Sequence, residues 1–198
     1  MKRLAICLAV IPGWLGAIDL PIAQTASGPY EVCISAASPS ERDAGYTVAF
    51  RERATLKVIG TAETIGGYTT PAVAAETSKV IWHPSGQFVA FTDRATKHST
   101  ELYVYSLRDG KPLKLDYLDY LQNALGRVDA VEIGLHCVST PQAWADDALT
   151  VKLYFSVDRR ETGRHFYETV VTFHLDHSPK ETPRLRLVSV QQPKNPNE

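Results

Sequence analysis

An all-β fold, an antiparallel meander of two to three blade-like sheet units with one short helix, is what this sequence predicts. Three observations predict it: apolar side chains alternate every second residue, turn residues separate the alternating runs, and a Trp-turn-strand pattern occurs twice. Alternation reads as strand because successive side chains of an extended chain point to opposite faces, so one face is buried while the other stays wet. Leu149-Thr150-Val151-Lys152-Leu153-Tyr154-Phe155-Ser156-Val157 is the clearest case. The short spacing between runs favours antiparallel pairing, packed as a small sandwich or a partial propeller.

The chain opens with Lys2-Arg3, an apolar run from Leu4 to Ile11 and a Pro12-Gly13 break. That is the layout of a secretory signal peptide. A membrane-spanning helix takes about 20 apolar residues, and Pro12, Gly13 and Asp19 interrupt this run too early, so no stable membrane insertion is expected. Ala17, with Leu15 two positions before it, is the best-matched cleavage position; Ala23 and Ala26 have the poorer Pro21 and Gln24 there. Cys7 precedes any apolar region long enough to engage export machinery, so lipidation is not expected. The expected organisation is a signal peptide over 1–26, a single β domain over 27–190 and a flexible polar tail over 191–198. The expected location is periplasmic or secreted.

Further strands are expected at Tyr30 to Ile34, Tyr46 to Phe50, Thr55 to Ile59, Lys79 to Trp82, Phe88 to Thr92, Glu101 to Leu107, Val131 to Val138, Phe166 to Leu175 and Leu185 to Val190. One segment reads as helix: Asp116 can cap it, Leu118, Leu121 and Leu125 fall at helical spacing, and Gly126 can end it. Pro193 and Pro196 oppose strand pairing in the tail.

The chain carries 21 basic and 22 acidic side chains. Such balance supplies no field to recruit nucleic acid or an anionic membrane. Export would allow Cys33 and Cys137 to form a disulfide across a loop of roughly 100 residues, the alternative being two buried free thiols. Cys137 falls in register with apolar neighbours and points toward a core. There is no Gly-x-Ser-x-Gly elbow, no phosphate-binding glycine loop and no His-Glu-x-x-His motif, so no catalytic residue and no cofactor is assigned. His174-Leu175-Asp176-His177 is the most chemical-looking cluster, yet it lacks a third and fourth ligand, so no metal is assigned and a solvated strand end is the expectation. His83 and His136 read as hydrogen-bonding groups of a turn and of a polar strand face. Asp158 to His165 is a charged hairpin loop, whose arginines could otherwise clamp an anion. Tyr103, Tyr105, Tyr117 and Tyr120 read as core and helix contacts rather than a recognition platform.

The repeated pattern starts at Trp82-His83-Pro84-Ser85-Gly86 and again at Trp144-Ala145-Asp146-Asp147, each followed by a strand, a polar loop and a second strand. Trp82, Pro84, Gly86 and Trp144 are its structural residues: indoles brace a hairpin end, and Pro and Gly make the turn. The unit at about 79–115 resembles a blade of the TolB-like β-propeller repeat, with its Trp-Ser-Pro-Asp-Gly turn; the unit at about 141–190 resembles it more weakly. The resemblance implies a sheet module that serves as a platform. A closed propeller typically needs 4 to 8 blades, more than this length holds, leaving a sandwich or an oligomeric ring. The function expected is a noncatalytic exported binding or assembly module of the cell envelope, its ligand and partner unassigned, with another envelope protein the candidate partner. The alternative is a small extracytoplasmic enzyme with a dispersed active site.

Overall fold

The computed structural model describes residues 18–24, 28–38, 40, 45–63, 69–94, 96–117, 119–128, 133, 134, 136–159, 163–178 and 180–196. These residues form an all-β fold of two sheets with two short helices. Strands β1 (Ile18–Gln24), β2 (Tyr30–Ala36), β3 (Thr47–Glu52) and β4 (Val58–Thr61) make one antiparallel sheet in chain order. After helix α1 (Pro71–Thr77) come β5 (Val80–Trp82), β6 (Phe88–Arg94), β7 (Ser99–Ser106) and β8 (Leu113–Lys114), a second meander. Helix α2 (Tyr120–Gly126) leads to β9 (Cys137–Ala145), β10 (Ala148–Arg159), β11 (Gly163–Asp176) and β12 (Arg184–Val190), a third. The second and third meanders share one sheet because β9 runs parallel to β7 for two residue pairs, Ser99 with Cys137 and Thr100 with Val138.

The three four-stranded units stack face to face. Val32, Ile34, Val48 and Phe50 of the first unit pack against Val89, Phe91, Tyr103 and Tyr105 of the second. The opposite face of the second unit, Phe88, Ala90, Leu102 and Val104, packs against Leu149, Val151, Leu153, Phe155, Val171 and Phe173 of the third. The middle unit is thus buried on both faces. Its strands accordingly read Phe88-Val89-Ala90-Phe91 and Leu102-Tyr103-Val104-Tyr105, with no polar residue alternating. Burying each such large side chain contributes about 1.5 to 3 kcal/mol. The opening strands meet in order, β1 on β5 and β5 on β9. Among the described residues the stack does not close into a ring.

The first sheet begins at Ile18, inside the segment 1–26. Several other expectations are corrected. Helix α2 is capped by Asp119, whose carboxylate accepts from the backbone N–H of Leu121 and Gln122, one turn later than the expected Asp116. Helix α1 had a signal that the expectation passed over: Thr70 caps it and Pro71 opens it. Of the strand expected over Val131 to Val138, β9 holds Cys137 and Val138 and continues through Pro141, beside a register shift that accommodates the missing N–H; positions 131, 132 and 135 lie outside the described residues, as does Leu118. The tail is not free over its first residues, because Pro193 is buried and Lys194 exchanges two backbone hydrogen bonds with Glu168 on β11.

Candidate functional site

The turns that open the second and third units meet through a polar cluster. His83 is 8% exposed and sits in the β5–β6 turn. Its Nδ1 lies 2.8 Å from Ser85 Oγ and accepts the Ser85 backbone N–H at 3.2 Å. Nε2 therefore carries the proton and donates to Asp147 Oδ1 at 3.3 Å, across to the β9–β10 turn. His177, beyond the end of β11, donates to the same oxygen at 2.8 Å. The hydrogen bond from His177 leads the causes that hold the Asp147 carboxyl below its usual range. His83 also stands edge-on to Trp144 at 5.1 Å. Ser85 Oγ accepts from the Gln87 N–H at 3.2 Å, closing the turn. The arrangement clamps two units together, and it brings a hydroxyl, an imidazole and a carboxylate into line.

The other candidate is the outer face of the third unit. Odd-numbered residues of β10 and β11 enter the core, so the even-numbered ones face away from it, and neither apolar core includes them. Tyr154 and Phe166 stack at 5.5 Å, Phe166 meets His136 at 5.8 Å, and His136 meets His98 at 4.6 Å. These four rings form a continuous, partly exposed line. Ion pairs flank it: Lys152 with Glu168 at 2.9 Å and Arg164 with Asp158 at 2.7 Å. The arginine's hydrogen bond is the main cause that lowers the Asp158 carboxyl.

Several singled-out residues settle elsewhere. Trp82 packs at the interface of the first and second units, and Trp144 at that of the second and third, each facing the preceding unit. Their pairing differs from the sequence alignment: Trp82 lies opposite Val89, while Trp144 lies opposite Leu149 rather than Val151. Pro84 is exposed in its turn, whereas Gly86 is buried with φ +69°. A Cβ there would come within 2.7 Å of Gly28 Cα, so the first unit's loop requires glycine at this turn.

The disulfide is not formed. Cys33 and Cys137 are free thiols in different sheets, Cys33 on β2 against the Ala49 carbonyl and Cys137 against the core of the last two units. Burial foremost pushes each up to about 11. His174 and Asp176 share the solvated end of β11, 3.5 Å apart, and His177 turns away to Asp147. Among the described residues no group of three or more ligand side chains is placed to hold a metal ion. In the charged hairpin, Arg164 is taken up by Asp158 and Arg159 by the Val128 carbonyl; positions 160–162 lie outside the described residues. Tyr103, Tyr105 and Tyr120 are buried, and the Tyr117 hydroxyl donates to the Leu102 carbonyl. No protein-family model matches the chain, and no curated protein or solved structure matches it either.

Proposed function

We propose that this chain is an exported, noncatalytic binding module of the cell envelope, built from TolB-like blade repeats, that docks a protein partner on the outer face of its third unit. The observation that carries the reading is the line of rings formed by Tyr154, Phe166, His136 and His98. Aromatic side chains flanked by charged pairs are the composition of interface centres and rims. A face that served only as a solvated cap would favour polar side chains throughout. Three successive four-stranded meanders, with Trp82 and Trp144 each turned to the preceding unit, support the repeat reading. Export rests on the Lys2-Arg3 leader.

The test is site-directed photo-crosslinking in the exporting cell. A crosslinker at Tyr154 should yield one discrete adduct that Phe166→Ser abolishes without changing the thermal midpoint. A crosslinker at Val188, exposed on β12, should yield none. Indistinguishable adducts from the two positions would overturn the docking face. The line of Ser85, His83 and Asp147 favours a second reading, the small enzyme, in which Ser85 is a nucleophile relayed through His83. Labelling of Ser85 by a fluorophosphonate, lost in His83→Gln, would establish that reading.

A further inference from the structure

His98 and His136 are brought together by a feature of topology that neither local segment encodes. Each is the residue before the first parallel pair, Ser99 with Cys137, so the short β7–β9 junction sets them directly opposite one another. Their rings lie 4.6 Å apart at 60°. Around them lie three basic side chains and one carboxylate, Asp158, which also interacts with His136. Lys97 comes from the loop between β6 and β7 and Arg94 from the end of β6, with the Arg94 guanidinium folded back on the Lys97 carbonyl at 3.5 Å. Arg164 comes from the start of β11.

The carboxylates of the neighbouring strands already hold partners among the described residues. Asp158 takes Arg164 through both oxygens, at 2.7 and 3.2 Å. Asp93 accepts from the Tyr46 hydroxyl at 2.6 Å, and Glu101 from the Tyr103 hydroxyl at 2.6 Å. Desolvation, then His136, Lys97, Arg164 and Arg94, lower the His98 imidazole from its ordinary value, so His98 resists taking up a proton. That frustration is relieved by an anion. An oxyanion between the rings accepts from both imidazoles and offsets the repulsion that disfavours the charged form of His98, so anion and proton uptake are coupled. A divalent metal on the same nitrogens would instead add positive charge to a cationic rim.

We propose that the His98–His136 junction is a binding site for a tetrahedral oxyanion, a phosphate or sulfate group, that tightens as pH falls. The site shares His98 and His136 with the proposed docking face but rests on their junction and its basic side chains, so the isolated chain can bind an anion while partner capture fails, and the reverse.

The experiment is an NMR titration of the purified chain with sodium sulfate, whose charge is constant between pH 6 and 8, following the imidazole C–H resonances. Sodium chloride at matched ionic strength is the control. Inorganic phosphate forms a second arm, and vesicles of phosphatidylglycerol against phosphatidylcholine form a third, to separate a free ion from a lipid headgroup. The expected result is saturable shifts of both His98 and His136, with affinity about tenfold tighter at pH 6 than at pH 8. His98→Gln and Lys97→Gln, both on an exposed loop, should each weaken binding at least about fivefold while leaving the fold intact. Binding to free anion or to phosphatidylglycerol vesicles alone would each uphold the site and name its source. The proposal is overturned by shifts that chloride reproduces, by unchanged affinity in both variants, or by micromolar capture of Zn2+ with no response to sulfate, phosphate or vesicles.

Discussion

His83 and Asp147, 64 residues apart in the chain, meet at 3.3 Å and join the opening turns of two neighbouring units. With His177 on the same carboxylate oxygen, the link depends on Asp147 being ionised. Its carboxyl titrates below the usual range in the folded state. Between the two values the unfolded chain binds more protons, so stability rises with pH there. The contribution is complete above the ordinary carboxylate range, near pH 4, and is lost as pH falls through the lower folded value. Asp147→Asn should cost about 1 kcal/mol at pH 7, a modest value because the carboxylate is partly exposed. Urea unfolding of both proteins at pH 7 and pH 3 checks this, and the gap should close at the lower pH.

Gly86 and Gly163 both hold positive φ, +69° and +78°, but only Gly86 has a backbone against it. Alanine at Gly163 meets nothing within 4 Å and should cost only the backbone preference, about 1 kcal/mol. Alanine at Gly86 adds a collision with Gly28 Cα and should cost at least about 1 kcal/mol more. Equal midpoints for the two variants would sink the claim that the first unit's loop closes on this turn.

Strand positions were legible because alternation survives wherever one face stays wet, as from Leu149 to Val157. The stacking was not, although the unbroken apolar runs of β6 and β7 are its signature. Alignment on tryptophan misjudged the pairing because the β5–β6 turn is two residues longer than its counterpart: partners are seven apart at Trp82 and five apart at Trp144. Of the clamp, His83 was visible as a turn residue. Asp147 and His177 reach it only through tertiary packing, which no local pattern encodes. The pairing of His98 with His136 rests on a parallel contact between strands of different meanders, and hairpin signals are blind to that.

Trp82 and Trp144 brace two different interfaces, and the indole N–H of each is buried without a partner among the described residues. Truncation to alanine at either should cost about 3 kcal/mol or more. Phenylalanine should be far milder, within about 1.5 kcal/mol of the parent, since removing an unsatisfied donor offsets part of the lost packing. Chemical denaturation of the four variants decides: a Phe variant as damaged as its Ala counterpart would show that the N–H is satisfied.

Cys33, which is buried, and Cys137, which is half-buried, should resist modification while the fold is intact, for desolvation holds both thiols up to about 11. Iodoacetamide at pH 8 should label neither in native protein and both after unfolding, as read by peptide mass. Recovery of a Cys33–Cys137 crosslinked peptide would reverse the assignment.

If the chain is exported as proposed, strand β1 bears on where processing falls. It pairs along β2 from Ile18 opposite Ala36, and Asp19 binds the Arg51 guanidinium at 3.0 Å while Glu31 holds it at 2.5 Å. Cleavage after Ala23 or Ala26 would strip this strand, leave β2 as an edge and take one of two carboxylates from a largely buried arginine. Cleavage after Ala17 keeps all of it, and the resulting N-terminus is Ile18, the first residue of β1. Protein recovered outside the cytoplasm should therefore begin at Ile18, as read by N-terminal peptide mass. Asp19→Asn should lower its stability by about 1 kcal/mol, the worth of one charged hydrogen bond at a partly buried site. A chain begun at Ser27 should lose more, because a whole strand of backbone pairing goes with the side chain. Should exported protein instead begin at Gln24 or Ser27 and unfold at the same denaturant concentration as a chain begun at Ile18, β1 has no place in the mature fold.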